Sequence, residues 1–178
     1  MKIFTAPEPV ITDPKDIKIF LAGGITNCWE WQKELIEVMQ DKFTTSELDR
    51  MVLINPRREN FPIDDPTAAT KQIYWEYYNL ERCDIFSMFF AKGDSDQPIC
   101  MYELGRNIVK MQMRFPNTWK ERIVVTAEEG YKRIKDVRTQ MEYAASDIRI
   151  RSDLFEHIFN IRTLYRGLKF SQRGDYYV

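Results

Sequence analysis

Two glutamates have surroundings that suit a chemical step. Glu103 lies in the stretch 97–105, between an aromatic residue and Leu-Gly, and it follows the largely apolar run 84–90. Glu76 lies in the helical stretch before that run. A carboxylate near the start of a helix that follows a strand lies at the carboxyl edge of an open α/β sheet, where such folds bind ligands. Because retaining glycosyl transfer needs a carboxylate nucleophile and a group that manages the leaving-group proton, the pair predicts a glycosyl-transfer site.

The neighbours of both glutamates bear on whether they are reactive or simply solvated. Most helical glutamates are surface charges, but apolar and aromatic residues flank both Glu76 and Glu103, which favours a shifted pKa. Six aromatic residues near the predicted site form either a stacking wall for a nucleobase or part of the core. Their helical spacing favours the core. They are Trp29, Trp31, Tyr74, Trp75, Tyr77 and Tyr78.

Two further groups follow predicted strands. Gly23 and Gly24 after the first apolar run either free helix amides to bind an anion or simply form a tight turn. They do not form a GxGxxG motif, so a dinucleotide site is not expected. Arg57, in the stretch 55–58, either forks onto a phosphate or carboxylate or lies in a solvated loop, braced against acidic residues such as Asp64 or Asp65.

The elements that must position these residues alternate along the chain. Prolines at the start predict an extended arm or edge strand. Apolar runs predict strands at 17–22, 51–54, 84–90 and 122–126, with 148–150 as a possible fifth. Five helices are predicted. The first covers about 29–42, with Thr26 or Asn27 as its cap, and the second about 67–82. The third begins at Pro98, the fourth follows the strand at 122–126 and ends at about residue 145, and the fifth covers about 153–166. Alternation of this kind predicts a parallel sheet covered on both faces.

Composition sets limits on the class of protein. The chain has 178 residues and a formal charge of −1, which suits one domain and makes nucleic acid or a membrane surface an unlikely partner. Its three cysteines form no ligand pattern, which favours reduced thiols in a cytoplasm and no metal. Since His157 is the single histidine, a Ser-His-Asp triad and multi-histidine zinc sites are excluded.

Taken in order, these segments resemble the nucleoside 2-deoxyribosyltransferase-like family. The resemblance weakens over 130–137 and is lost after about 145, so we expect one family domain over 1–178 with a divergent helical C-terminal segment from about 146. The segments that carry it are 6–9, 20–24, Trp31-Gln32, 55–58, Trp75-Glu76, Asp84 and Glu103-Leu104-Gly105.

The resemblance implies a fold and the roles of the two glutamates. The family fold is a flavodoxin-like (Rossmann-like) parallel sheet, here of about five strands with helices on both faces. The family's catalytic glutamate falls on Glu103, which implies attack on the anomeric carbon of the sugar. The acidic residue that helps hold the sugar or base falls on Glu76.

The resemblance also implies substrate contacts, several of which depart from the family pattern. Gln97, with Asp96 beside it, occupies the position where relatives have an aspartate or a phosphate-binding serine. Phe20 replaces a tyrosine, and Asp136 replaces a base-contacting asparagine. Gly23, Gly24, Asn55 and Arg57 complete the predicted substrate-binding set. In some relatives the C-terminal carboxylate completes a neighbouring subunit's site, and whether Val178 does so here is left open.

The sequence therefore predicts an enzyme that transfers or hydrolyses the N-glycosidic bond of 2′-deoxynucleosides or their 5′-monophosphates. It predicts a covalent glycosyl-glutamate intermediate, no cofactor, a small nucleoside or nucleotide as the partner, and a homo-oligomer. The alternative is a non-catalytic nucleotide-binding or sensing domain, favoured by the mismatches at Phe20, Gln97 and Asp136.

Overall fold

Five parallel strands form the centre of the molecule. A computed structural model describes residues 1–174, so Val178 lies outside the described residues. The strands are arranged in the order β1-β3-β2-β4-β5. All four neighbouring pairs are parallel. Their bounds are β1 (Lys2–Thr5), β2 (Ile17–Gly23), β3 (Met51–Asn55), β4 (Ile85–Phe90) and β5 (Ile123–Ala127).

Helices cover both faces of this sheet, as the predicted fold class requires. One face packs against α3, α4 and α5, and the other against α1, the short α2 and α6. A 3₁₀ turn at Trp119–Arg122 leads into β5. The helices are α1 (Trp31–Lys42), α2 (Thr45–Leu48), α3 (Ala68–Leu80), α4 (Pro98–Arg114), α5 (Ile134–Ala145) and α6 (Leu154–Gly174). The flavodoxin-like α/β prediction is confirmed.

Burial on both faces explains why the strands read as continuous apolar runs. Every residue of β4 is buried, and its one polar member, Ser87, lies beneath α6. There the hydroxyl of Ser87 lies 2.7 Å from His157 Nε2, while Thr126 Oγ1 lies 2.8 Å from His157 Nδ1. Burial lowers the pKa of His157 to about 3, so the imidazole is neutral and satisfied by two hydroxyls. The chain's single histidine therefore anchors α6 to the sheet.

The predicted elements differ from the observed ones at three places. Residues 148–150 form no strand, and Arg151 makes only an isolated bridge to Thr126; the fifth strand is β1, which confirms the edge strand that was one of the two predictions for the N-terminal residues. Helix α1 begins at Trp31 after an N-cap at Glu30 without a side-chain cap, so the predicted caps at Thr26 and Asn27 are wrong. Helix α6 runs eight residues beyond the predicted end at Arg166, to Gly174.

Candidate functional site

Both glutamates face one cavity at the carboxyl edge of the sheet. It has a volume of about 260 Å³ and lies between the ends of β2 and β3 and the first turns of α4. This is where an open parallel sheet is expected to bind a ligand. Its lining residues are Phe20, Ala22, Gly23, Gly24, Ile25, Thr26, Pro56, Glu76, Ser95, Gln97, Pro98, Ile99, Cys100 and Glu103.

The environment of Glu103 favours its neutral form. Burial, together with the nearby charge of Glu76, raises the pKa of Glu103 to about 7, and the Arg106 guanidinium opposes the shift only in part. The side chain is therefore close to half ionised at neutral pH. A carboxylate poised in this way can act as a nucleophile without being locked in a salt bridge.

Glu76 is held in place from its own helix. The Gln72 amide donates a 2.7 Å hydrogen bond to Glu76 Oε1 and another of 2.7 Å to the carbonyl of Pro56. Burial raises the pKa of Glu76, and the bond from Gln72 offsets part of that rise. Gln72 is one helical turn before Glu76, a spacing that could have indicated the contact, but we did not predict it from the sequence.

Gln97 presents an unpaired acceptor to the cavity. It begins α4 in the left-handed conformation, with φ 49°, and its Nε2 donates to the Ala91 carbonyl at 2.6 Å. Gln97 Oε1 is buried and has no hydrogen-bond partner among the described residues. A buried acceptor of this kind is costly unless something donates to it. Gln97 therefore is suited to accept a hydrogen bond from a bound ligand.

Gly24 gives Gln97 this position. A Cβ on Gly24 would lie 2.6 Å from Gln97 Oε1 and 2.5 Å from the Cys28 sulfur, so the close approach needs glycine. The amide of Gly24 donates to the Phe89 carbonyl at 3.2 Å, and α1 begins only at Trp31. The glycine pair thus forms a tight turn at the cavity and does not bring a helix N-terminus to it.

Aromatic residues divide between core and surface. Phe20 lies on the cavity floor, with its ring 6.3 Å from that of Trp75. Trp31 and Trp75 are buried in the two cores, as the helical spacing predicts. Tyr74 and Tyr77 are exposed, so neither lies in the cavity wall.

Arg57 does not line this cavity, and its guanidinium makes four hydrogen bonds elsewhere. Its guanidinium donates to the carbonyls of Ile25, Cys28 and Trp29 at 3.2, 2.9 and 2.7 Å. A fourth bond of 3.3 Å reaches the Gln32 amide oxygen. Arg57 therefore braces a loop, which was one of the two predicted alternatives. The predicted partners Asp64 and Asp65 are wrong, because the guanidinium binds loop carbonyls instead.

Three other predicted substrate residues do not reach the cavity. The Asn55 amide oxygen accepts the backbone N–H of Arg57 at 3.0 Å within a turn. Asp96 is exposed, and its carbonyl accepts from the Tyr131 hydroxyl at 2.8 Å. Asp136 pairs with Arg133 at 2.7 Å on α5. The structure therefore brings together Glu76, Glu103, Gln97, Phe20 and the glycine pair, and it leaves Asn55, Arg57, Asp96 and Asp136 outside.

The residues that line the cavity carry charge of one sign. The described residues that line it include two glutamates and no lysine, arginine or histidine. Within residues 1–174, no group of three or more His, Cys, Asp or Glu side chains is arranged to hold a metal ion. No helix in the same range is long and apolar enough to cross a membrane.

Comparison with protein families gives one match. The model described as "Nucleoside 2-deoxyribosyltransferase like" matches residues 16–115, more than half of the 178-residue chain. The matched segment contains Glu76, Gln97 and Glu103, and it ends before β5. A comparison with curated proteins gave no match.

The raised pKa of Glu103 predicts that this residue destabilises the fold at alkaline pH. A group whose pKa rises from 4.5 to about 7 on folding contributes stability below pH 4.5 and loses it as the pH rises through 7. Glu103→Gln should therefore be more stable than the wild type at pH 8, by on the order of 2 kcal/mol, and no more stable at pH 4.5. Urea unfolding at both pH values measures the difference. The exposed Glu142→Gln on α5 is the control and should show no such change; equal stability of Glu103→Gln and wild type at pH 8 would contradict the assigned environment.

Proposed function

The chain belongs to the nucleoside 2-deoxyribosyltransferase like family, and on that premise we propose that it cleaves the N-glycosidic bond of 2′-deoxynucleosides through a covalent glycosyl-glutamate intermediate. One observation carries this proposal: two half-buried carboxylates, Glu76 and Glu103, face one cavity at the carboxyl edge of the sheet, and both have raised pKa values. A domain that only bound a nucleotide would have no use for this costly arrangement.

In the proposed first step, ionised Glu103 acts as the nucleophile. Its carboxylate oxygen forms a bond to C1′ of the sugar while the C1′–N bond breaks and its electron pair leaves with the base. The departing base takes a proton from water at the cavity mouth, where Ile99 is exposed. Because a 2-deoxy sugar lacks the electron-withdrawing 2-hydroxyl, its oxocarbenium-like transition state is easier to reach.

In the second step, water or a second base attacks C1′, and the ester bond breaks to restore the Glu103 carboxylate. The acceptor gives up one proton to the solvent in this step, which balances the proton that the departing base took from water in the first step. Glu76, held by Gln72, accepts hydrogen bonds from sugar hydroxyls and keeps the ring in line with Glu103. The choice between water and base as acceptor decides between hydrolysis and transfer, and the enzyme class covers both.

We propose that the substrate is the nucleoside and not its 5′-monophosphate. A phosphate would enter a cavity lined by two carboxylates and no described cation, where like charges repel. The guanidinium of Arg57, predicted as a phosphate ligand, is already bonded to loop carbonyls. Gln97 Oε1 accepts from a hydroxyl or a base N–H, and a phosphate dianion has no proton to give it.

We infer that a second copy of the chain packs against the exposed face of α3 and α4. Arg106 of α4 lies over the Tyr77 ring of α3 at 4.4 Å, so the outer faces of these helices adjoin. Gly105 is exposed in mid-helix with open space above it, which permits close approach. Such an apolar surface favours the homo-oligomer predicted from the sequence. Its exposed members are Ile73, Tyr74, Tyr77, Tyr78, Ile99, Tyr102, Val109 and Met113.

Replacing the nucleophile tests the proposal most directly. Glu103→Gln keeps the shape of the side chain but removes the anionic oxygen, so turnover should fall about a thousandfold or more. The assay incubates the protein with a panel of 2′-deoxynucleosides, with and without free acceptor bases, and follows the products by chromatography. With a slow-leaving 2-fluoro sugar analogue, mass spectrometry should find an adduct on the peptide that contains Glu103. Near-wild-type turnover in Glu103→Gln would refute the mechanism.

The charge of Glu76 should be visible in the pH profile. Because ionised Glu103 is the reactive form, kcat/KM should rise as the pH rises through about 7. Glu76→Gln removes the negative charge that raises the Glu103 pKa, so the acidic limb should move to lower pH even though activity falls. Kinetics from pH 5 to 9 measure both effects. An acidic limb that stays in place would mean that Glu76 does not act on the nucleophile.

The substrate proposal predicts a preference that can be measured with paired compounds. For one base, kcat/KM for the 2′-deoxynucleoside should exceed that for its 5′-monophosphate by at least about tenfold, since repulsion of about 1.4 kcal/mol suffices for that ratio. Arg57→Lys should change both values by the same factor. A preferred monophosphate whose KM rises selectively in Arg57→Lys would instead place the phosphate on this arginine.

A further inference from the structure

Two loops contribute to the lining of the cavity and are joined to each other outside it. Residues 24–29 follow β2 and residues 91–97 follow β4; both contribute lining residues. They join at an antiparallel bridge between Cys28 and Gly93. Gly93 has φ 147°, and a Cβ there would lie 2.6 Å from the Asn27 carbonyl oxygen. The two loops are therefore in direct contact, and the position of each depends on the other.

Glu128 ties the two loops together from the end of β5. Its side chain is buried, at 7% exposure, although it does not line the cavity. Glu128 Oε2 accepts the Trp29 indole N–H at 2.8 Å from the first loop and the Lys92 backbone N–H at 2.8 Å from the second. Its other oxygen lies 3.2 Å from Lys92 Nζ. One carboxylate thus holds both loops.

Arg57 also holds the first loop, through hydrogen bonds separate from those of Glu128. Its planar guanidinium fits three loop carbonyls and one side-chain amide oxygen at once. A lysine ammonium is a compact donor without this fork and cannot reproduce the set. The loop has little regular hydrogen bonding of its own, and Asn27 adopts a left-handed φ of 56°. External donors therefore supply the bonds that fix its path.

The two clamps converge on Trp29. Its carbonyl accepts from Arg57, its indole N–H donates to Glu128, and its ring meets Phe89 of β4 edge-on at 6.1 Å. Ile25 and Thr26 lie a few residues earlier in the same loop and line the cavity, so moving Trp29 would move them as well. A side chain with no contact to the ligand can therefore change how the ligand is held.

We propose that Glu128 and Arg57 are positioning residues that shape the cavity lining by fixing residues 24–29 against residues 91–97. The inference rests on the proposed function for its kinetic consequence, but the clamp itself is a property of the protein without substrate. Glu128 lies beyond the segment matched to the family, so the clamp joins the family portion of the chain to its later part.

Hydrogen–deuterium exchange of the protein alone tests the clamp. Glu128→Gln removes the carboxylate charge that binds two N–H groups, and Arg57→Lys removes the forked guanidinium that binds the loop carbonyls. Both variants should therefore raise the exchange of backbone amides in peptides covering 24–30 and 91–97. The first turn of α4 beyond Gln97 and the strands should exchange as in the wild type. Glu129→Gln is the matched control, because Glu129 is adjacent and exposed, and only its backbone N–H forms a bond, to the Ser152 carbonyl. Unchanged exchange in both loops in both variants would overturn the clamp.

Kinetics with 2′-deoxyadenosine then test positioning. A loop that holds the substrate without taking part in bond making should affect KM by about tenfold or more and kcat by less than about threefold. Because both residues act on one loop, the double variant should show less than the product of the single effects. A collapse of kcat with unchanged KM, or fully multiplicative effects, would overturn a shared positioning role. If the wild type turned over no nucleoside, the proposed function would fail, and the exchange result would still decide the clamp.

Discussion

Two half-buried carboxylates in one cavity whose described lining holds no cationic side chain impose the main constraint on this site. Each ionised group loses hydration, and the charge of Glu76 further raises the pKa of Glu103. Each unit of such a shift corresponds to about 1.4 kcal/mol of preference for the neutral form. The surrounding structure must therefore hold the pair in place, because the pair by itself favours an open and hydrated arrangement.

The hydrogen bonds around the cavity provide this restraint. Gln72 orients Glu76, and the left-handed backbone at Gln97 starts α4 so that Glu103 enters the cavity one and a half turns later. The parallel sheet gives the cavity a rigid base, since every residue of β4 is buried. The groups that restrain the two glutamates directly are a backbone turn and an amide side chain, so orienting the reactive carboxylates falls to residues other than the carboxylates themselves.

The sequence predicted the sheet, its helices and the two glutamates because these depend on local patterns. Apolar runs mark buried strands whatever their partners, and a carboxylate near the start of a helix after a strand must lie at the carboxyl edge. The order of strands, with β1 as the edge beside β3, depends on long-range pairing that no local pattern contains.

The same limit explains the residues that the sequence interpretation misplaced or missed. Arg57 reads as an anion ligand because arginine forks suit phosphates, but they suit carbonyls equally, and only the path of residues 24–29 decides between them. Glu128 gives no local signal in the sequence, because its partners Trp29 and Lys92 lie 99 and 36 residues away. Asp136 is matched by position to a base contact, yet it faces Arg133 on its own helix.

The anchoring of α6 by His157 has a consequence for the order in which the chain acquires its structure. Ser87 and Thr126 are 70 and 31 residues upstream of the imidazole that pairs with them. During synthesis these hydroxyls, and the apolar sheet face around them, therefore remain without the cover of α6 until that helix emerges. Long-range closure of this kind is slow, and uncovered sheet faces are prone to association. A nascent chain of this protein thus depends on α6 to avoid association as well as to complete the core.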